Sequence, residues 1–300
     1  MLAAIGLWGC EDVINPELEA ADPILVVDAW LIHEPGSQTI HLTRSQPYFE
    51  NILPPGVSGA TVTVTDELGK VYPFQEVESG EYVWTPSGAE VFGQMGLKHY
   101  LNVTVGAETF VSEARMTPVP AIDSITFFVT EGGQFIPDLY QAEFWARDLP
   151  EIGNAYWIKA FKNGQQLNKP SEIITAYDAG FSKGGTFNGV DFIAPIRRAI
   201  NPFDEDDSGD LLSPYTVGDS VHVEIHAISE AAFNFLNEVS IQTDRPGGFS
   251  ELFATPLANV STNINNTNPN GSRVLGFFNV GAKTSLGRKF SSLQEITRVE

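Results

Sequence analysis

The stretch Ala60-Thr61-Val62-Thr63-Val64-Thr65 decides the fold class. Apolar and hydroxyl side chains alternate at period two, with Val62 and Val64 on one face and Thr61, Thr63 and Thr65 on the other. That is the pattern of a β-strand with one buried side, and its β-branched residues suit a pleated, half-buried surface. Asp66-Glu67-Leu68-Gly69 reads as a turn into Val71-Tyr72-Pro73-Phe74. Working outward, the signal recurs at 24–32, closed by Glu34-Pro35-Gly36, and again at 39–43, 80–84 and 100–105. Short strands with turns at this spacing predict an antiparallel, immunoglobulin-like sandwich over residues 24–117.

Thr117-Pro118-Val119-Pro120-Ala121 follows, and two prolines in four residues favour a stiff, extended linker over 118–123. Beyond it, residues 124–300 read as a second β-rich domain, with strand-like runs at 124–130, 142–146, 156–161 and 275–280. Asn163-Gly164 is a hairpin turn signal. One helix is expected near 229–243. Ser229 caps it, Glu230 suits the positive end of its dipole, and Ile228 staples onto Phe233. Residues 258–273, rich in Asn, Thr, Ser and Gly, read as a long polar loop. The predicted fold is therefore mainly β, a sandwich followed by a β-rich domain with one α-helix.

The single cysteine stands at Cys10, at the end of the apolar stretch 1–9 and directly after Gly9. A hydrophobic run ending in a small residue before a cysteine has the form of a bacterial lipobox, so residues 1–10 read as a signal remnant and Cys10 as the lipidation site. The thiol takes the lipid, and each buried CH₂ of an acyl chain contributes about 0.8 kcal/mol to anchoring. No Lys or Arg precedes Cys10, so the basic segment of the signal peptide is expected upstream of Met1. Residues 11–23, acidic and without periodicity, read as a tether. No run approaches the ~20 apolar residues of a membrane-spanning helix, which leaves the lipid as the expected anchor. Thirty-eight acidic against seventeen basic side chains give a net charge of −21. Such a chain repels nucleic acid and anionic headgroups.

Three patterns raise the question of chemistry. In His222-Val223-Glu224-Ile225-His226 the two histidines and the carboxylate share one face of a strand. They resemble a ligand set, yet on a strand the histidines stand about 13 Å apart at ~3.3 Å per residue. A strand with Val223 and Ile225 inward and a polar outer face is the expectation. In the acidic run 204–210, Asp204, Asp206, Ser208 and Asp210 are the candidate ligands for a calcium ion. Asp204, Asp206, Ser208 and Gly209 follow the first half of an EF-hand loop, but its twelfth position is Tyr215. A solvated acidic loop is the plainer reading, and no resident cofactor is expected. The tryptophans Trp30, Trp84, Trp145 and Trp157 are candidates for a sugar-stacking platform, but each lies in a strand-like run and is expected in the core. No Gly-x-Ser-x-Gly, His-Glu-x-x-His or phosphate-binding glycine motif occurs.

Several segments together resemble one family. Cys10-Glu11-Asp12, then Ile24-Leu25-Val26-Val27-Asp28-Ala29-Trp30-Leu31, then Pro55 to Val64 and Gly80-Glu81-Tyr82 are similar to domain-of-unknown-function family 4249 of Bacteroidota lipoproteins. So are Pro118 to Ser124, Gly218-Asp219-Ser220-Val221, Ala227-Ile228-Ser229 and Val274-Leu275-Gly276-Phe277-Phe278. The resemblance implies an outer-membrane lipoprotein exposed at the cell surface and encoded beside a TonB-dependent transporter, with no catalytic residues to carry over. The acids after Cys10 resemble that phylum's surface-export signal. The expected function is a non-enzymatic, lipid-anchored accessory protein that binds a ligand or a TonB-dependent receptor in nutrient uptake. The alternatives are a surface hydrolase with a carboxylate pair that leaves no local signature, and a structural or adhesive module.

Overall fold

The valine–threonine alternation forms β3 (Thr61–Asp66), with Val62 and Val64 buried and the threonines turned outward. The computed structural model describes residues 22–298 apart from 48, 49, 51, 134–136, 208, 246–249 and 251–253. Around β3 lie β1 (Leu25–Ile32), β2 (Gln38–Arg44), β4 (Val71–Glu78), β5 (Glu81–Trp84), β6 (Lys98–Val105) and β7 (Glu108–Arg115). β1-β2-β5 form one layer and β3-β6-β7 the other, while β4 pairs with β3 through its first half and with β5 through its second. This is the strand order of an immunoglobulin-like sandwich. The turn between β3 and β4 closes because the Asp66 carboxylate accepts the amides of Leu68 (3.0 Å) and Lys70 (2.9 Å), and Gly69 takes a positive φ of 90°.

The second region contributes β8 (Ile122–Thr130), β9 (Leu139–Ala146), β10 (Ala155–Lys162), β11 (Gln165–Gln166), β12 (Ile174–Tyr177) and β13 (Ser220–Ile228). Near the C-terminus follow β14 (Asn265–Asn266), β15 (Val274–Gly281), β16 (Lys283–Lys289) and β17 (Ile296–Arg298). Strands β17-β8-β9 form a small sheet that packs face to face on β11-β10-β13-β16, with β12 also paired to β10. Ile125, Phe127, Phe144, Tyr156, Ile158, Val223 and Ile225 fill the space between them. The predicted Asn163-Gly164 turn joins β10 to β11 with φ of 53° and 81°, as a two-residue hairpin demands. Helix α2 (Glu230–Thr243) starts where expected, with the Ser229 hydroxyl accepting the amide of Ala232. A second helix, α1 (Ala194–Arg198), escaped the sequence reading: five residues are too few to show a helical period.

The chain does not leave the first sandwich for good at 118–123. β15 returns and pairs in parallel with β1 along its whole length, and β14 pairs with β7. The segment read as a polar loop is thus partly structural. Asn263 accepts the amide of Phe278 and donates to its carbonyl, while its own carbonyl accepts the Ser112 hydroxyl of β7. That strut draws the two open edges of the sandwich together, toward a barrel.

β15 also touches the second region. Its inward residues Phe278 and Val280 enter the first core, and its outward residues Phe277 and Asn279 face the second. Asn279 accepts the amide of Ser229 (3.0 Å) and donates to the carbonyl of Ala227 (3.3 Å). Glycine is required here by close approach. A Cβ on Gly276 would lie 2.0 Å from the Val27 carbonyl oxygen, and one on Gly281 2.0 Å from that of Ala227.

Candidate functional site

The His222–Glu224–His226 face lies on β13, as the alternation requires, with Val223 and Ile225 fully buried behind it. Its outer side is not simply solvated. The first sandwich covers one end, where Trp30 meets Trp157 edge to face at 5.1 Å and stacks on Phe277 at 5.7 Å. Beneath that cover the His226 Nε2 lies 2.8 Å from one oxygen of Glu224, while Lys283 donates to the other at 3.2 Å and also pairs with Glu34. His222 approaches the same carboxylate at 3.6 Å. The hydrogen bond from His226, then the charge of Lys283, holds Glu224 well below the usual carboxylate range, whereas burial pushes the His226 imidazole down. Burial also lowers the Lys159 ammonium, which sits 3.9 Å over the Trp157 ring.

Glu224 is therefore the hub of this group, and its basic neighbours converge on it rather than on a common ion. Among the described residues no three His, Cys, Asp or Glu side chains form a metal-sized cluster. The adjoining cavity, lined by Trp30, Trp157, Lys159, His226 and Asn279, measures about 30 Å³. That is room for a water, not for a ligand. The network is a polar seam between the two sandwiches.

In the acidic run, Asp204 pairs with Lys169, and Asp206 accepts the amide of Asp210 at 3.0 Å in a small turn bridged by Glu205 and Leu211. Cys10 and Ser208 lie outside the described residues. Three carboxylates are buried in the second sandwich, each among donors. Asp148 accepts the Tyr156 hydroxyl (2.6 Å) and the amide of Gly189, Asp178 accepts the amides of Gly153 and Asn154, and Glu143 is clamped by Arg197 and Arg198. They order loops and the end of α1. Trp84 is a core residue, Trp30 and Trp157 belong to the seam, and Trp145 lies under the Arg197 guanidinium at 3.8 Å. None of the four offers an open platform.

An accessible, ligand-sized concavity lies instead on the outer face of the opening strand. Thr65, Tyr100, Asn102, Val111, Glu113 and Asn265 line a depression of about 600 Å³, within the range of small-molecule sites, roughly 300–1,000 Å³. Strand pairing fixes the array. Thr63, Asn102, Val111 and Asn265 form one row across β3, β6, β7 and β14, and Thr65, Tyr100 and Glu113 form the next. Glu113 is paired with Lys98 at 2.7 Å. Tyr100 is 40% exposed. Sequence reasoning placed Thr61, Thr63 and Thr65 on an outer face and read 100–105 as a strand, but it did not find β7 or the neighbours that complete the face. The signal was present in the outward positions Thr61, Thr63 and Thr65 of β3 and Tyr100, Asn102 and Thr104 of β6, which carry no charge beyond Lys98 at the strand's start.

A family model described as Domain of unknown function (DUF4249) matches residues 11–286. Among curated proteins none matches the chain. The chain belongs to the family of that domain.

Proposed function

We propose that this member of the family is a lipid-anchored, non-enzymatic accessory protein of a bacterial cell surface, of the Bacteroidota lipoprotein type, that binds a ligand beside a TonB-dependent transporter. The observation that carries the reading is the open face of β3, β6 and β7. It offers hydroxyls, amides and one half-exposed ring in a depression of about 600 Å³, on a rigid sheet whose register is set by pairing on both sides of β6. Such a surface suits the holding of a ligand by hydrogen bonds and ring contact. The lipobox ending at Cys10 supports the anchor, and the acids at Glu11 and Asp12 support export to the surface.

The test is affinity purification of the full-length lipidated protein from its native outer membrane, with mass spectrometry of what accompanies it. A stoichiometric TonB-dependent receptor upholds the reading, and recovery of the protein alone overturns the transporter part. Cys10→Ser separates the anchor from the rest: it is expected to move the protein from the membrane pellet to the soluble fraction. Retention of that variant in the pellet overturns lipid anchoring.

A further inference from the structure

We propose that the outer face of β3, β6 and β7 binds a neutral glycan, with Tyr100 as the stacking ring. The inference deepens the reading above, and rests on its premise that this face takes a ligand. Its first support is charge. In a chain of net charge −21, the row of Thr65, Tyr100 and Glu113 and the row of Thr63, Asn102, Val111 and Asn265 carry one charged side chain, Glu113, paired with Lys98 of the Lys98–Arg115 row that closes this end of the face. An anionic ligand is repelled by the molecule as a whole. A cation finds the Glu113 carboxylate of this face taken by Lys98. A neutral, polyhydroxylated ligand loses no ion solvation and meets hydrogen-bonding groups of its own kind.

The second support is the chemistry of the lining. A sugar presents a C–H face and a rim of hydroxyls. The Tyr100 ring makes no ring contact with another aromatic among the described residues, and its flat, apolar face with a polar tip suits a sugar's C–H face. The Tyr100 hydroxyl and the side-chain amides of Asn102 and Asn265 line the same depression. Amides provide both donors and acceptors, which is what a hydroxyl rim requires. The third is dimension. Thr63 to Asn265 spans three inter-strand steps of about 4.8 Å, a row some 14 Å long, so the face accommodates a short run of sugar units rather than one. A protein partner is the poorer fit, because the apolar core of such an interface needs large aromatic and aliphatic anchors. Here Val111 and the Tyr100 ring are the outward apolar side chains of the depression, the third apolar lining residue, Leu101, being buried in the core.

Affinity gel electrophoresis of the full chain through amylopectin, mannan, arabinan and β-glucan tests the proposal, with anionic polygalacturonate as the charged comparison. The expected result is retardation by at least one neutral polysaccharide and none by polygalacturonate. Tyr100→Ala should weaken that retardation at least tenfold with an unchanged thermal midpoint, and Tyr100→Phe should retain most of it. Asn102→Ala should weaken it less. Free migration of the wild type through all four neutral gels overturns the proposal, as does undiminished retardation of Tyr100→Ala. Retardation without a co-purifying receptor upholds the glycan site and overturns the transporter reading. A receptor without retardation does the reverse.

Discussion

The molecule has two outward sheet faces of opposite character, and their exposure is the reverse of what polarity alone suggests. The face on β10 and β13 carries Lys159, His222, Glu224 and His226, and one end of it is covered by the first sandwich. The face on β3, β6 and β7 keeps its charges, Lys98, Glu113 and Arg115, to one end and stands open. The difference teaches how to read a polar motif. Charged groups under cover survive because they find partners, Glu224 in His226 and Lys283 and Lys159 over the Trp157 ring, which is the condition for burying them at all. Their clustering reflects assembly of the two sandwiches. On the open face the Tyr100 ring has no aromatic partner among the described residues, and that makes it the better candidate for work done on something else.

The comparison breaks most completely if the strand shared by both sandwiches, β15, is spoiled. Gly276 has φ of 95° and no room for a side chain beside Val27. Gly276→Val should therefore cost about 3 kcal/mol or more, from backbone strain added to overlap, seen as a lower urea midpoint. An unchanged midpoint would mean that β15 does not hold the seam. A smaller loss is expected from Asn279→Ala. The change leaves the Ser229 amide and the Ala227 carbonyl without their partner under cover, at about 1–3 kcal/mol, again read from the urea midpoint.

Next in size is a pH effect that belongs to covered groups alone. Burial lowers the imidazoles of His99, in the first core, and His226, in the seam. In the unfolded chain each titrates near 6.5, so below that pH the unfolded state binds protons that the folded state refuses. Stability is then full above about 6.5 and is lost as the pH falls toward the lowered values. Thermal midpoints at pH 7.5 and 5.5 should show the drop, and His99→Gln with His226→Gln should flatten it. Glu224 does not contribute in this window. Held at about 2 against 4.5, it withdraws its share only below the ordinary carboxylate range. The smallest effect sharpens the contrast from the open side. Thr63→Lys adds a charge to a half-exposed position and should shift stability by no more than about 0.5 kcal/mol, measured by the same melt.

Much of the first sandwich is legible in the chain because period two is a local property. Val62 and Val64 declare the buried side without reference to any other strand, and Asp66 with Gly69 declares the turn. The helix after Ser229 is legible for a similar reason, since its cap and first turn are neighbours in sequence. The strands β7, β11, β12, β14, β16 and β17 are not legible in the chain, and in β16 the run Lys283 to Lys289 keeps no apolar alternation because its residues are mostly half-exposed. The His-Glu-His motif was visible and its geometry against a common metal was computable. What covers it was not, because Trp30, Glu34 and Lys283 come from distant parts of the chain.

By itself, then, the sequence determined the strand class, the faces of the clearest strands, the helix start and the charge, none of which depends on how distant surfaces pack. Tertiary structure alone decided that β15 returns to β1 and closes the first sandwich over the second. It alone left Tyr100 open while drawing Trp30 and Trp157 together. Those outcomes depend on which distant surfaces pack on each other. Packing of that kind is set by complementary shape and by the partnering of buried polar groups, neither of which has a period along the chain.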